Sequence, residues 1–367
     1  MTLRFDFQSE SLPATASALT PELSVISEWL TEIQRVTLDR FPDSSLYLGG
    51  GSSRGVLDHL YFRRPIEMRD MDIFVIRHGE IVAADLVALA EDLQSAGVAK
   101  MVTRHAHSKH RYRRISAPGG SPIEGKFEKC HVGYTLHLTH SRHPILSLSL
   151  LPSLEMLRLN GIVDFDRVLI PLFRDRNLVE YSISNFLPYS YDELAPRGII
   201  DDCDGGYVSW VNGSAENVIW ENIVPNPVIG TFRLVRNHLK VGRTRFSELQ
   251  REMLITLLAQ PSATDEIENL RYLLKVIGDE KAEMELFMLL DVQALKWISP
   301  DLQAHLQNFT PSDLKRDLAR AKARALESPL SDAKTEEYVI LEHWLRFLDV
   351  AERERLLQLA SFTTRLR

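Results

Sequence analysis

The chain has 367 residues, more than one average domain, so two or three packed units are expected. Hydrophobic residues make up 44% and charged residues 25% of the chain, a composition typical of an ordinary globular protein. The formal net charge of −7 argues against a protein that coats nucleic acid over its whole surface, although a local basic groove stays compatible with it.

The N-terminus and the cysteines favour an intracellular protein. Residues 1–7 show no charged-then-apolar signal pattern, and no stretch approaches a membrane-spanning apolar run. Cys130 and Cys203 lie far apart without metal-ligand spacing, which favours two reduced thiols. A cytoplasmic location is therefore expected, and a secreted effector without a cleavable signal would have the same pattern.

Helix and strand patterns alternate through the first half of the chain. Thr20-Pro21 is a helix-start signal, and apolar residues at helical spacing after it predict an amphipathic helix from Pro21 to about Arg40. The predicted elements that follow are a strand over 45–48, a helix over 56–62, a buried strand over 71–76, a helix over 80–96 stopped by Gly97, and strands near 100–104, 133–139 and 145–151. This alternation indicates an α/β or α+β domain.

The second half has almost only helical patterns from residue 230 onward. One helix is predicted between a cap at Thr264 and an end near Gly278, and another begins at Thr310-Pro311, where Asp313 suits the positive end of the helix dipole. Residues 173–227 are rich in Pro, Gly, Asp and Tyr, which is typical of a connector.

A glycine-rich turn after the first strand is the first candidate for chemistry. Its residues are Gly50, Gly51, Ser52, Ser53 and Arg54. Adjacent glycines let the backbone approach a triphosphate, and the N-terminus of the following helix favours anions. Ser52 or Ser53 can donate a hydrogen bond to a phosphate oxygen, and Arg54 can either bind a phosphate or pin the loop. The turn is therefore predicted to bind a nucleotide.

Two aspartates at the start of the buried strand are the second candidate. Asp70 and Asp72 lie two residues apart, so alternation along a strand puts both side chains on one face. Adjacent carboxylates repel each other unless a cation lies between them, which makes the pair a natural Mg²⁺ site. We therefore predict that Asp70 and Asp72 bind the metal and are catalytic. The metal would bridge the phosphates of ATP or another NTP and lower the pKa of an attacking hydroxyl.

In this order the two motifs resemble the family of tRNA CCA-adding enzymes and bacterial poly(A) polymerases. That family has a Gly-Gly-x-x-Arg motif followed by an Asp-x-Asp strand, as in residues 50–54 and 70–72. It then has an Asp-Pro-x-Gly-Gly type turn and an Arg-x-x-Arg helix, to which Asp204-Gly205-Gly206 and Arg233-Leu-Val-Arg236 are similar. The resemblance covers about residues 46–240.

The resemblance implies an α+β fold: a polymerase-β-like nucleotidyltransferase head with a mixed sheet, followed by an all-helical neck and body. It implies a magnesium-dependent, template-independent nucleotidyltransferase that transfers a nucleotide from an NTP to a hydroxyl, most favourably an RNA 3′ end, and releases pyrophosphate. Arg233 and Arg236 would lie beneath the nucleotide, with salt bridges to nearby acids as the alternative. The predicted domains are an N-terminal extension (1–20), the head (21–172), a connector completing the head (173–229), and the neck and body (230–367).

Two other functions keep the same fold. The acidic net charge favours a nucleotidyltransferase that modifies a protein or a small molecule instead of RNA. The predicted strand over 145–150 lacks the third carboxylate that polymerase-β-type sites usually add, which favours a catalytically weak nucleotide-binding protein. The acids that folding could recruit are Glu124, Glu128, Asp164 and Asp166.

The densest basic run of the chain lies at residues 104–114. Arg104, Lys109, Arg111 and Arg113 are candidates for contacts with a triphosphate or an RNA backbone. The alternative is a solvated loop.

Overall fold

The computed structural model describes residues 21–365 except 63, 66–69, 78–80, 99–100, 116–125, 141–142, 155–160, 173–199, 203–204, 261–265 and 328–335. For Asp70 and for the strand residues between 101 and 147, it describes the backbone alone. The described chain divides into two compact units, Met1–Val208 and Ser209–Arg367. The division falls inside the predicted connector, and the predicted domain limits stay predictions.

A six-stranded mixed sheet forms the centre of the first unit. Its strands are β1 (Ser45–Gly49), β2 (Asp70–Ile76), β3 (Met101–Ile115), β4 (Lys126–His140), β5 (His143–Leu151) and β6 (Ile170–Leu172). They lie in the order β3-β4-β5-β2-β1-β6, with β2 and β5 parallel and the other neighbours antiparallel. The predicted α+β fold with a mixed sheet is confirmed.

Strand β2, which lies between β5 and β1 inside the sheet, has one buried and one partly exposed row of side chains near its beginning. Met71, Ile73 and Val75 are fully buried, whereas Asp72 and Phe74 between them are partly exposed. Side chains alternate along a strand, so one face of β2 packs into the core and the other presents the carboxylate.

Three α-helices, α1 (Pro21–Arg40), α2 (Gly50–Phe62) and α3 (Ala83–Ser95), and a short 3-10 helix, Asp164–Arg167, accompany the sheet. The prediction for α1 is confirmed, and its Trp29 donates a hydrogen bond to the Val98 carbonyl oxygen at 3.3 Å. Helix α3 ends before Gly97, whose φ of 75° suits a helix C-terminus. Helix α2 begins six residues earlier than predicted, because the glycine turn itself forms its first turn.

Strands β3 and β4 are far longer than predicted, at 15 residues each. The basic run at 104–114 therefore belongs to a strand and is not a loop. Sequence periodicity missed it because most residues of this run are charged or polar, so the apolar alternation that marks a half-buried strand is absent.

The second unit is helical throughout its described residues. Helix α4 (Gly206–Val211) spans the division between the units. The helices that follow are α5 (Trp220–Ile223), α6 (Pro227–Lys240), α7 (Glu248–Ala259), α8 (Glu266–Ile277), α9 (Ala282–Asp291), α10 (Pro300–Leu306), α11 (Pro311–Glu327), α12 (Glu336–Leu345) and α13 (Val350–Arg365). The two predicted helices appear as α8 and α11. The start of α11 is capped reciprocally, because Asp313 N donates to the Thr310 hydroxyl and Thr310 N donates to the Asp313 carboxylate. No helix among the described residues is long and apolar enough to cross a bilayer.

Candidate active site

Asp72 lies between two strands near the beginning of β2. Its register partner on β1 is Gly49, and its partner on β5 is Ser147. Asp70 is the first residue of β2 and pairs with Ile145. The alternation of β2 places positions 70 and 72 on the same face of the sheet.

The carboxylate of Asp72 lies directly against the first residue of α2. A Cβ built on Gly50 would overlap Asp72 Oδ2 and lie 3.1 Å from Asp72 Cγ. Gly50 also has a φ of +63°, a conformation that residues with a Cβ adopt at a cost. The structure thus brings together the glycine turn and the Asp-x-Asp strand, which sequence alone could only list as separate motifs.

Gly51 differs from its neighbour, because it is exposed and a Cβ there would have no atom within 4 Å. The backbone N–H groups of the first turn of a helix have no partner within the helix, and the positive end of the helix dipole lies there. Open space, N–H groups and a carboxylate therefore meet at the start of α2, which is a suitable place for a phosphate bridged to a cation.

The two serines of the turn are both buried. The Ser53 hydroxyl lies 3.1 Å from the Gly50 carbonyl oxygen and 2.8 Å from that of Val168, so it ties the glycine turn to the segment before β6. The predicted phosphate contacts of Ser52 and Ser53 stay predictions.

Arg54 is buried, with 3% of its side chain exposed. Its guanidinium donates to the Phe165 carbonyl oxygen at 2.7 Å and lies 3.9 Å from Asp166 Oδ1. Burial lowers the pKa of Arg54, and the carboxylates of Asp166, Asp72 and Asp58 oppose that shift. Of the two roles predicted for Arg54, these contacts are those of a residue that pins the loop, and nucleotide binding by Arg54 stays a prediction.

Of the four acids considered for a third carboxylate, Asp164 and Asp166 have described side-chain contacts elsewhere. Asp164 Oδ1 accepts a hydrogen bond from its neighbour's backbone, Phe165 N, at 2.8 Å, and Asp166 Oδ2 accepts from Ile162 N at 3.1 Å. Glu124 lies outside the described residues, and only the backbone of Glu128 is described. Strand β5 contains no acid. Among the side chains that the structure describes, no group of three potential metal ligands converges.

Gly206 and its neighbours Asp202 and Tyr207 lie beside the segment that binds Arg54. Gly206 packs against the backbone of the Arg54-bound segment, because a Cβ there would lie 2.8 Å from Phe165 Cα. Asp202 Oδ1 and Oδ2 accept hydrogen bonds from Gly206 N at 2.8 Å and Tyr207 N at 2.9 Å. The glycine pair of this turn is recognisable in the sequence, whereas its contact with residues 164–165 is seen only in the structure.

Sequence reasoning missed the pair formed by Tyr207 and Asp58. The Tyr207 hydroxyl donates to Asp58 Oδ1 at 3.1 Å, and Asp58 lies one helical turn after Arg54 on α2. Burial and the Asp58 carboxylate raise the pKa of Tyr207. This pair ties α2 to the start of α4 across 149 residues, and no local pattern signals such a contact.

The remaining predicted residues lie elsewhere in the chain. In the second unit Arg236 pairs with Asp279 at 3.2 Å and lies 3.7 Å from Glu285, as the salt-bridge alternative predicted. Arg233 is partly buried on the same helix, α6. Whether either contacts a nucleotide stays a prediction. Arg104, Lys109, Arg111 and Arg113 are all in β3.

Solved structures with the same fold include a CCA-adding enzyme, a tRNA-processing enzyme and a tRNA nucleotidyltransferase. A CCA-adding enzyme in complex with ATP has a TM-score of 0.55 at 14% identity, covering 93% of this chain and 67% of that one. A tRNA-processing enzyme in an apo form has a TM-score of 0.54 at 13% identity, covering 95% and 77%. A tRNA nucleotidyltransferase with a primer tRNA and an incoming ATP analog has a TM-score of 0.51 at 12% identity, covering 91% and 82%.

Searches against protein-family profiles and against curated protein sequences find no match. The likeness to CCA-adding enzymes, which the sequence motifs predicted, is therefore confirmed as a likeness of fold.

Proposed function

We propose that this chain is a magnesium-dependent, template-independent nucleotidyltransferase that transfers a nucleotide from an NTP to the hydroxyl of an RNA 3′ end. The observation that carries the proposal is the contact between the Asp72 carboxylate and Gly50 at the start of α2. In the transfer, the acceptor oxygen forms a bond to the α-phosphorus, the bond to pyrophosphate breaks, and the hydroxyl proton passes to solvent.

The residues at this place fit Mg²⁺. Mg²⁺ prefers carboxylate oxygens and phosphate oxygens, and Asp72 presents a partly exposed carboxylate beside helix N–H groups that suit phosphate. Asp70, two residues earlier on the same strand, would supply the second carboxylate. When bound, the metal neutralises charge on the phosphates and activates the attacking hydroxyl.

The chain's own residues would orient the nucleotide. The N–H groups at Gly50 and Gly51 would bind phosphate oxygens, and the open space beside Gly51 leaves room for them. Arg54 and Ser53 hold the turn in place by donating hydrogen bonds to the carbonyl oxygens of Phe165 and Val168. The turn is thereby preorganised, so little of the binding energy would be spent on ordering it.

Similar structures support an NTP as the donor and RNA as the acceptor. The CCA-adding enzyme cited above was solved with ATP, a CCA-adding enzyme structure with CTP matches this chain at a TM-score of 0.54, and the tRNA nucleotidyltransferase holds a primer tRNA. The shared fold makes an RNA 3′ end the acceptor that we propose for this chain.

A second candidate is a nucleotide-binding protein with little or no turnover. It is favoured by one observation: the β5 residue beside Asp72 is Ser147, and β5 carries no acid. A chain of this kind would bind NTP at the same turn and release no pyrophosphate.

The test is incubation of the protein with Mg²⁺, each labelled NTP in turn and total RNA, comparing wild type with Asp72→Asn. Loss of a metal ligand should lower label transfer to RNA at least about a thousandfold, since metal-ion stabilisation of the transition state is worth several kcal/mol. The control is Asp39→Asn, an aspartate with 71% of its side chain exposed, which should leave transfer unchanged.

Label that moves into protein or small molecules instead of RNA would overturn the RNA acceptor and keep the chemistry. NTP binding without label transfer to any acceptor would favour the second candidate. Equal transfer by wild type and Asp72→Asn would remove Asp72 from the site.

A further inference from the structure

The hairpin of β3 and β4 extends well beyond the rest of the sheet. Strand β4 pairs with β5 only from Tyr134 onward, whereas its first eight residues, Lys126–Gly133, pair only with β3 among the described residues. Their partners on β3 are Lys109–Ile115. We name these two segments, 109–115 and 126–133, the basic ribbon.

The charge of the basic ribbon is opposite to that of the chain. It contains one acid, Glu128, and six basic residues: Lys109, Arg111, Arg113, Arg114, Lys126 and Lys129. Six positive charges against one negative charge give a net +5 in 15 residues of a chain whose net charge is −7. Such concentration produces a local positive potential that the net charge hides, and a polyanion is the complementary partner.

The register distributes these residues over both faces of the basic ribbon. The pairing of β3 and β4 has a bulge between Arg111 and Tyr112, and its extra residue, Cys130, lies on β4. The alternation along β3 therefore continues, and Lys109, Arg111 and Arg113 share one face. Tyr112 and Arg114 belong to the opposite face, where their register partners on β4 are Lys129 and Phe127. Cations interleaved with aromatic residues suit single-stranded RNA, whose phosphates pair with the cations and whose bases stack on the rings.

The direction of the strands places the basic ribbon relative to Asp72. Asp72 is in register with Ser147, and the basic ribbon begins beyond Tyr134, the partner of Leu150. Strands rise about 3.3 Å per residue, so the basic ribbon starts roughly 10 Å beyond Asp72 along the strand direction. It continues for about 20 Å more in the direction that leads away from Asp70. A 3′ end at Asp72 would therefore leave upstream nucleotides within reach of the basic ribbon.

We infer that the basic ribbon binds the phosphate backbone of the RNA acceptor several nucleotides upstream of its 3′ end. The identity of this RNA as an acceptor rests on the proposed function, whereas binding itself needs no transfer. RNA binding should therefore depend on the length of the RNA. Long RNAs should contact the basic ribbon, whereas an acceptor of two nucleotides should not reach it.

The test compares Lys109→Gln/Arg111→Gln/Arg113→Gln with Lys315→Gln/Arg320→Gln/Lys322→Gln, which removes the same charge from α11. Fluorescence anisotropy of a labelled 20-nucleotide RNA at several salt concentrations is the readout. The ribbon variant should bind at least about tenfold more weakly, and its salt slope should fall by about 2, because each phosphate contact with single strands contributes about 0.7. The α11 variant should bind as wild type does.

Extension of a dinucleotide acceptor and binding of labelled NTP should be the same in wild type and ribbon variant. Thermal unfolding checks that the ribbon variant folds, and Arg111→Gln alone, on the same face of β3, is the second variant, with a smaller loss in the same direction. The inference is overturned when a folded ribbon variant keeps wild-type RNA affinity and salt slope, or when the α11 variant loses as much. Failure of the proposed function would give a different result: the wild type would bind RNA through the basic ribbon but transfer no label.

Discussion

At Gly50, the backbone conformation and the neighbouring Asp72 side chain both require a glycine. Its φ of +63° lies in the left-handed region, and the Asp72 carboxylate occupies the volume that a Cβ would need. Gly51, the next residue, meets neither restriction. The pair therefore allows a direct comparison of two glycine-to-alanine changes at adjacent positions.

We expect Gly50→Ala to lower the free energy of unfolding by about 1–3 kcal/mol, because a non-glycine residue in this conformation is strained. It should also abolish NTP binding by displacing Asp72. Gly51→Ala should raise stability by up to about 1 kcal/mol, since alanine is the better helix former. Urea unfolding and titration with labelled NTP measure both effects. Similar results for the two variants would mean that Asp72 does not occupy the space beside Gly50.

At the same scale, the sequence identified the glycine turn and Asp72 as candidates but not how deeply the residues around them are buried. The glycine turn and Asp72 could be predicted, because a turn after a strand and an Asp-x-Asp pair have local patterns. The burial of Arg54 could not, because it depends on Phe165, which lies 111 residues away. The Tyr207–Asp58 hydrogen bond escaped prediction for the same reason.

Helices α6 and α9 are joined by a buried carboxylate. Glu285 on α9 is buried, and its Oε1 lies 3.7 Å from Arg236 Nε on α6. Its Oε2 is also buried and has no hydrogen-bond partner within the described part of the chain. Burial raises the pKa of Glu285 to about 8, against the opposing charge of Arg236.

This raised pKa predicts a loss of stability with increasing pH. The folded chain binds the proton more tightly than the unfolded chain, so the contribution is complete below the ordinary pKa of 4.5 and is lost as the pH rises towards 8. Within that window the group lowers the free energy of unfolding by at most about 1.4 kcal/mol per pH unit. Urea unfolding of wild type and Glu285→Gln from pH 4 to pH 9 should show a shallower decline in the variant.

Glu283→Gln is the matched control, because Glu283 is a partly exposed residue on the same helix. It should keep the wild-type pH dependence. A Glu285→Gln curve parallel to wild type at all pH values would mean that Glu285 ionises normally in the folded chain.

Among the elements, those with an apolar period were predicted and those without it were not. Helices α1, α8 and α11 each bury a stripe of apolar side chains, so the helical period appears in their sequences. Strands β3 and β4 were underestimated because their outer parts are rich in charge. Helix α2 was predicted to begin too late, because glycines and serines are poor helix formers whose place at this helix start depends on Val168 and Asp72.

The second unit has a core of its own. Its fully buried side chains come from most of its helices and include Leu254, Leu273, Leu286, Leu314 and Trp344. Residues before 230 belong to this core as well, since Ala215 and Ile223 are buried and Gln250 Nε2 donates to the Ala215 carbonyl oxygen at 2.9 Å.

We therefore expect a fragment of residues 209–367 to fold and unfold cooperatively. A fragment of residues 230–367 should have a Tm lower by about 5 °C or more, because it loses Ile223, Ala215 and the Asn226 cap of α6, which is worth about 1 kcal/mol by itself. Circular dichroism melts of the two fragments provide the measurement. Equal Tm values would instead support a domain limit at residue 230.

At the scale of the whole chain, composition and net charge predicted a globular protein and said little about its parts. Net charge averages over faces, so a chain of −7 gave no sign that 15 residues of one hairpin carry +5. The mixed sheet was implied by the resemblance to CCA-adding enzymes. Its strand order depends on pairings between distant segments, which periodicity does not contain.

The two edges of the sheet have a consequence for solubility. An exposed edge strand can pair with the edge of another molecule, and proteins avoid this with short edges or with charged ones. Here β6 is only three residues long, whereas β3 is long but rich in lysine and arginine. Mutual repulsion along β3 therefore opposes the addition of strand to strand between molecules, whereas a neutral edge strand of this length would favour it.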